Sequence, residues 1–176
     1  MNARRLLALL ALVLAFPARA ELSEAEVKAG FVYNFAKLTE WPAEVRSKAA
    51  TLRLCVTGPA NEFSAALSQL RHRPAIDGRP IEVQRLVRPA GVRDCHVLVF
   101  TSPDRVAYDM IGAATALPVL TVGDVSGFAA AGGMIGLYLD GDKVRFEVNT
   151  PAAQASNLKL SSHLQRLGRP ARTEER

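Results

Sequence analysis

Histidine and cysteine side chains are the first candidates for chemistry, because they bind metals, carry protons and act as nucleophiles near neutral pH. Of the three histidines, His72, His96 and His163, none has another His, Cys or carboxylate at the spacing of a zinc site. Cys95 and His96 are adjacent, and adjacent residues of a strand point to opposite faces. We therefore predict no metal site and no cofactor. His96 is interpreted as a polar residue at a strand entrance, and the other two histidines as exposed.

Serine and glycine motifs do not indicate a catalytic site either. No G-x-S-x-G motif occurs, and Ser126-Gly127 has no evident His and Asp partners. The densest glycine cluster, Gly132 to Gly136, leads into a predicted strand and so lacks the helix N-terminus that binds phosphate. A bend or a close backbone approach explains the cluster better than a ligand loop. A hydrolase is disfavoured, since no nucleophile with a base and an orienting partner is visible.

The first twenty residues have the layout of a secretory signal peptide. Arg4 and Arg5 precede an unbroken apolar run, Leu6 to Phe16, and Ala18-Arg19-Ala20 is a small-x-small ending. The run is shorter than the roughly 20 apolar residues that a bilayer requires. An uncleaved membrane anchor is the alternative, but the ending favours processing. We predict cleavage after Ala20 and an exported mature chain.

Charge and composition exclude one class of partner. Without the three arginines of the predicted signal peptide, 19 basic residues face 17 acidic ones, and the formal net charge falls from +5 to +2. Such a small excess predicts no nucleic-acid partner. The remaining length suits one domain over residues 21–168, and we expect residues 169–176, which are polar and charged, to form a flexible tail.

Cys55 and Cys95 are the only cysteines of the chain. Two cysteines in an oxidising compartment predict one disulfide. A geometric objection stands against it, because Cys55 lies late in one predicted strand and Cys95 at the start of another. In parallel neighbours the two sulfur atoms would lie near opposite ends. Two buried free thiols therefore remain the alternative.

Patterns of apolar residues and turn signals predict the elements that must position these side chains. Ser23 with Glu26 forms a capping box and opens a first helix that ends before Trp41-Pro42, with Val27, Phe31, Phe35 and Leu38 on its apolar face. Four strands then alternate with helices or connectors, and helix starts are predicted at Asn61 and at Ser102-Pro103. A hairpin with an Asp-Gly-Asp turn and one closing helix follow these four strands. The strands are 52–56, 81–87, 95–101, 118–122, 134–139 and 143–148, and the closing helix is 150–167.

This order of elements predicts an α/β fold. A mostly parallel sheet is flanked by helices on both faces, with a C-terminal antiparallel hairpin and a closing helix. The order of the strands within the sheet is not readable from these patterns.

Aromatic side chains are concentrated in and just after the first helix. Phe31 lies on the predicted apolar face, while Tyr33 points well away from it, and Trp41 follows the helix. Core and rim packing is one interpretation. The other is a surface for a partner protein that includes Phe31, Tyr33 and Trp41.

An ordered set of motifs resembles the YfiR family, also described as a DUF4154 domain. Each motif is weak alone, but together they cover nearly the whole mature chain in the family's order. They are Val27 to Lys37 with Glu40-Trp41-Pro42, Leu54 to Gly58, Gly78 to Ile81, Cys95 to Leu98, Gly132 to Ile135, Arg145 to Asn149 and Leu158 to Leu164.

The resemblance implies a periplasmic α/β protein without enzymatic activity. Such proteins bind the periplasmic sensor domain of an inner-membrane diguanylate cyclase and hold the cyclase inactive. An outer-membrane lipoprotein can sequester the repressor, after which cyclic di-GMP rises and favours biofilm formation. Family members can also form homodimers.

One departure from the family and one alternative function qualify this expectation. Well-characterised members carry a second cysteine pair near the hairpin, where this chain has none, so redox control through that pair does not carry over. The alternative is a small-molecule-binding accessory protein for a membrane sensor. Its crevice would lie at the carboxyl ends of the strands, lined by Thr57-Gly58-Pro59, Thr101-Ser102 and Gly123-Asp124.

Overall fold

The computed structural model describes residues 21–102 and 105–171, with the side chains of 105–108 left out. The predicted signal peptide, the predicted helix start at Pro103 and residues 172–176 lie outside the described residues. Among the described residues, no helix is long and apolar enough to cross a membrane.

The centre of the fold is a seven-stranded, mostly parallel sheet in the order β3-β2-β4-β5-β6-β7-β9. Five neighbouring strands are parallel, and β6 and β7 form the predicted antiparallel hairpin. The strands are β2 Leu52–Thr57, β3 Ile81–Arg85, β4 Val97–Phe100, β5 Leu120–Gly123, β6 Ile135–Asp140, β7 Lys143–Val148 and β9 Arg169–Pro170. This architecture confirms the predicted fold class.

Helices cover both faces of the sheet, and a second, two-stranded sheet lies at its side. In that small sheet β1 pairs antiparallel with β8. The elements are α1 Glu24–Lys37, β1 Thr39–Glu40, α2 Ala43–Lys48, α3 Glu62–Ser68, α4 Arg105–Ala114, α5 Thr150–Ala155, β8 Lys159–Leu160 and α6 Ser162–Leu167, with 3₁₀ segments at Gln69–His72 and Pro89–Asp94. The predicted N-caps Ser23 and Asn61 are both present and form capping boxes.

The alternation of side chains along the central strands creates two cores. Leu54 and Val99 point to one face, where they join a large core beneath α1 and α3. Cys55 and Leu98 point to the other face, where a small core packs against α4 and the 3₁₀ segment Pro89–Asp94. Both faces of a central parallel strand are buried, which is why these strands read as continuous apolar runs.

The prediction of one closing helix over 150–167 is wrong. Two short helices, α5 and α6, are separated by β8. Asn157 adopts a positive φ of 56°, a left-handed conformation that ends α5, and Ser161 caps the start of α6. The break lets Leu160 pair with Thr39 of β1.

The predicted tail begins within the sheet. Arg169 and Pro170 form β9 and pair with Glu147 and Val148 of β7. These two residues therefore extend the domain past residue 168.

Candidate functional site

An apolar surface lies along α1 and the β6–β7 hairpin. Leu22 and Leu139 are 70% and 49% exposed, while Val27, Phe31 and Val144 are half-buried. Leu22 and Val27 border two adjoining depressions, one shared with Phe31 and the other with Leu139 and Val144. We call these five residues the α1 apolar surface.

The face that α1 turns to the sheet agrees only in part with the predicted one, since Phe35 is buried as predicted. Its buried residues include Ala25, Ala29, Val32 and Phe35, whereas the predicted inward residues Val27 and Phe31 remain half-buried. Small residues on the inner face bring the helix close to the sheet, and the larger side chains flank it. As a result, α1 presents apolar groups both to the core and to solvent.

Phe31 is held in place by aromatic neighbours of the large core. Its ring centroid lies 5.8 Å from Phe35 and 5.7 Å from Phe146 of β7. On its other side it lines a groove of about 790 Å³ between the outer faces of α1 and α3. The predicted partner residue Phe31 is therefore both anchored and accessible.

Tyr33 lies on the opposite flank of α1. Its hydroxyl donates to the Pro74 carbonyl at 3.3 Å. The Lys37 ammonium and the Arg73 guanidinium lie 5.6 and 5.9 Å from its ring centroid. The structure thus does not bring Tyr33 together with the α1 apolar surface, although its side chain is half-buried and accessible.

Trp41 is a core residue. It is 2% exposed and packs within the large core. Its assignment to a partner surface does not fit this position, because a partner cannot contact a side chain that the chain itself covers. Trp41 is therefore not part of the candidate site.

Cys55 and Cys95 lie at disulfide distance and are bonded, with their Cα atoms 5.9 Å apart. The objection drawn from strand ends fails because Cys95 precedes β4. It is the C-cap of the 3₁₀ segment Pro89–Asp94, which brings it over the face of the sheet towards Cys55. Both cysteines are buried in the small core, and the Gln84 amide donates to Cys55 Sγ at 3.3 Å.

The crevice predicted at the carboxyl ends of the strands is only partly open. At Gly58 the space is taken by Thr101 and Ser102, whose side-chain oxygens lie 2.6 and 2.9 Å from the position that a Cβ would have. Next to Asp124 the crevice continues as a cleft of about 460 Å³ that reaches Glu147 and Arg169.

Charged side chains line this second cleft. Lys28 of α1 is buried and pairs with Asp124 at 2.7 Å and with Glu24 at 2.5 Å. Burial opposes the charge, but the two carboxylates more than offset it and raise the pKa of Lys28. Arg169 pairs with Glu147 and lies over the Tyr138 ring, 4.4 Å from its centroid. Every charge named here already has a partner of opposite sign.

The histidines lie apart from one another. His72 and His163 are exposed as predicted, and His96 is buried at the entrance of β4. Its Nδ1 accepts the backbone N–H of Arg53 at 3.0 Å. Burial, followed by the charges of Arg79 and Arg53, lowers its pKa to about 4. No cluster of three His, Cys, Asp or Glu side chains suited to a metal occurs among the described residues.

The glycine cluster marks a close approach, as predicted. A Cβ at Gly133 would overlap the ring of Phe128, and so would a Cβ at Gly123 of β5. Phe128 fills the small core and contacts Phe100 at 5.0 Å between ring centroids. The cluster therefore positions an aromatic ring.

Together these features define an α/β domain with an exposed apolar surface along α1 and a cleft in which Lys28 and Arg169 pair with carboxylates. The chain belongs to the YfiR/HmsC-like family, because the DUF4154 family model matches residues 25–169. This is a regulatory rather than a catalytic family. The match confirms the resemblance drawn from the ordered motifs.

Comparison with solved structures supports the fold alone. The chain is similar to a conserved domain protein from Vibrio cholerae O1 biovar El Tor, with a TM-score of 0.54 and 13% sequence identity. The match covers 84% of this chain and 60% of that one. No curated protein matches the sequence.

Sequence reasoning missed Leu22 and Leu139 as members of the site. Leu22 precedes the N-cap Ser23 and Val27 is four residues into the helix, which are the positions of a hydrophobic staple. That pattern could have drawn attention to Leu22. Leu139 is an apolar residue near the tip of the hairpin, and alternation alone does not say which face of a hairpin is covered.

Proposed function

We propose that this protein is a periplasmic repressor that binds the periplasmic sensor domain of an inner-membrane diguanylate cyclase and holds the cyclase inactive. Membership of the YfiR/HmsC-like family supports a regulatory role. The buried Cys55–Cys95 bond fits an oxidising compartment. The α1 apolar surface is the observation that carries the proposal, because a contiguous apolar patch on a small domain marks a protein contact.

The repressor acts by shifting a conformational equilibrium of its partner. Binding one conformation of the sensor domain more tightly than the other stabilises the inactive state. Shifting the ratio of inactive to active sensor domain from 1:99 to 99:1 needs about 5.5 kcal/mol of differential affinity. Burying apolar side chains such as Leu22, Phe31 and Leu139 in one of the two conformations can supply energy of that order, at roughly 1.5–3 kcal/mol for each side chain fully buried.

Release follows from competition for the repressor. An outer-membrane lipoprotein that sequesters the protein frees the cyclase, and cyclic di-GMP and biofilm formation then increase. A homodimer formed through the same surface would compete with both partners.

The test is the cyclic di-GMP level in cells. Deleting the gene should raise cyclic di-GMP and biofilm mass, and restoring the wild-type chain should lower both. A strain whose cyclic di-GMP does not change on deletion, while its diguanylate cyclases are expressed, would contradict the repressor function.

A second function has one observation in its favour. The cleft of about 460 Å³ beside Asp124 lies at the carboxyl ends of the strands, where open α/β sheets bind small molecules. A small-molecule-binding accessory protein for a membrane sensor would show thermal stabilisation by that molecule without any protein partner. A broad metabolite screen by thermal shift separates the two functions, since the repressor function does not require such a ligand.

A further inference from the structure

Three buried polar side chains meet at the amino ends of β2, β3 and β4. Arg79 comes from the turn before β3, Trp41 from the segment after β1, and His96 from the entrance of β4. The Arg79 guanidinium carbon lies 5.7 Å from the centroid of the Trp41 ring. The Trp41 and His96 rings meet edge to face, 6.4 Å between centroids.

Arg79 is the most unusual of these residues. It is 6% exposed, and its Nε, Nη1 and Nη2 atoms are all buried without a hydrogen-bond acceptor among the described residues. Asp77 is its ion-pair partner, but the closest atoms are 3.7 Å apart, too far for a hydrogen bond, and the Asp77 side chain is 59% exposed. Burial is the main cause that lowers the pKa of Arg79.

Apart from Asp77, the side chains described around Arg79 offer it no acceptor. Within the described part of the chain, Trp41 Nε1 is also a buried donor without a partner, and an indole only donates. His96 Nδ1 already accepts from Arg53, so the neutral ring carries its proton on Nε2. Arg46 adds a second positive charge that opposes the charge on Arg79. The site therefore has an excess of donors and of positive charge.

This excess specifies the chemistry of a ligand. A guanidinium presents a planar fork of donors that matches two oxygens of a carboxylate or phosphate. Leaving such a charge buried without hydrogen bonds is costly, whereas an oxyanion would satisfy the Arg79 fork and the Trp41 N–H together. A cation is excluded by the sign of the charge.

We propose that Arg79 and Trp41 bind a small oxyanion, a carboxylate or a phosphate, at the amino edge of the sheet. The ligand reaches Arg79 when Trp41 or the Asp77–Gly78 turn moves, because the guanidinium nitrogens are sealed from solvent. Asp77 is the competing acceptor, and the anion replaces it. The site lies away from the α1 apolar surface and does not depend on the proposed repressor function.

Trp41 makes the test direct, because it is the only tryptophan of the chain. The disulfide-bonded protein is titrated with sodium phosphate and, separately, with sodium succinate, against sodium chloride at equal ionic strength. We expect a saturable change in tryptophan emission with at least one oxyanion. At a hundredfold excess over Kd, the melting temperature should rise by roughly 5–10 °C.

Single substitutions show which side chains bind the oxyanion. Arg79→Gln removes the fork and should weaken binding roughly tenfold or more, whereas Arg71→Gln, at an exposed arginine, should bind as the wild type does. Asp77→Asn removes the competing carboxylate and tolerates the left-handed backbone at that residue (φ of 50°), so it should bind several-fold more tightly.

Two results would overturn the proposal. One is a wild-type emission that responds to both oxyanions only as it responds to chloride. The other is an Asp77→Asn variant that binds no more tightly than the wild type. The wild-type titration and Asp77→Asn keep the test decisive even if Arg79→Gln fails to fold.

Discussion

The two faces of the sheet are stabilised in different ways. The face beneath α1 and α3 carries a large core of apolar side chains, built around Val32, Phe35 and Leu67. The opposite face has a small core, and there the Cys55–Cys95 bond and the ring of Phe128 hold the connecting segments to the sheet.

The difference matters for function. Among the described residues, the aromatic ring and the disulfide of the small core are buried, so they offer no contact to a partner. The helix over the large core is apolar on two sides, with Val32 turned inward and Val27 left at the surface. Packing energy in the large core thus holds rigid the surface that we propose contacts the sensor domain.

Removing the disulfide should produce the largest loss of stability and should break the small core. Cys55→Ala with Cys95→Ala opens a loop spanning 40 residues, which by the chain-entropy model costs about 4 kcal/mol. Urea unfolding of the variant and the oxidised wild type measures the difference. An equal midpoint for both proteins would show that apolar packing alone stabilises the small core.

The same substitution at two valines of α1 tests the large core. Val32→Ala removes a fully buried side chain and should cost about 2–3 kcal/mol, while Val27→Ala should cost less than about 1 kcal/mol. Urea unfolding of both variants provides the comparison, with each serving as the control of the other. Equal losses would mean that α1 packs through the face that the sequence predicts.

A methyl group at Gly133 should displace Phe128 from the small core. Gly133→Ala is expected to cost about 1–3 kcal/mol by overpacking. Gly112→Ala in α4 meets no atom within 4 Å and should instead stabilise by about 0.5–1 kcal/mol. Thermal unfolding distinguishes the opposite signs. Stabilisation by both changes would show that Phe128 moves freely.

Lowering the pH should destabilise the fold through His96, which is buried at the entrance of β4. Its pKa is lowered to about 4 in the folded state from 6.5, so the folded protein favours the neutral ring. The contribution of the neutral His96 ring to the free energy of unfolding is therefore complete above pH 6.5 and is lost as the pH drops towards 4. The loss is about 2 kcal/mol, less than the full shift implies, because the ring keeps slight contact with water.

His96→Asn isolates this effect from the titration of carboxylates. The asparagine oxygen can still accept from the Arg53 N–H, but it does not titrate in this range. The stability difference between the wild type and the variant should narrow or reverse as the pH falls from 6.5 to 4 in urea unfolding. A constant difference would show that His96 titrates normally.

The fold was predictable from the sequence where local signals are strong. The capping box at Ser23, the apolar runs of the central strands and the Asp-Gly-Asp hairpin all identify elements that the structure contains. The closing helix was misjudged because helical periodicity continued across Asn157, whose left-handed backbone carries no strong local signal. Strand order depends on packing between distant segments and was not readable.

The candidate site was only partly predictable. The aromatic residues of α1 pointed to the helix that carries the α1 apolar surface, but helical spacing could not say which face of the helix packs on the sheet. The small side chains of Ala25 and Ala29 let α1 pack closely on the sheet, and Phe31 beside them stays accessible. This choice of face depends on the assembled sheet and not on the helix alone. Trp41 resembles a surface aromatic in sequence, but in the structure it is buried in the large core beside Arg79 and His96.

A pull-down tests most directly whether the α1 apolar surface binds a membrane sensor, as we propose. The chain from Glu21 onward is used as bait for detergent-solubilised inner membranes, beside the double variant Leu22→Ser with Leu139→Ser and the control Val87→Ser. Val87 is 65% exposed and follows β3, which lies at the opposite end of the sheet from β7 and β9, and all three baits should be equally stable. We expect a membrane-bound diguanylate cyclase to be recovered with the wild type and the Val87 variant and to be lost with the double variant. Equal recovery with all three folded baits, or with none, would contradict the proposal.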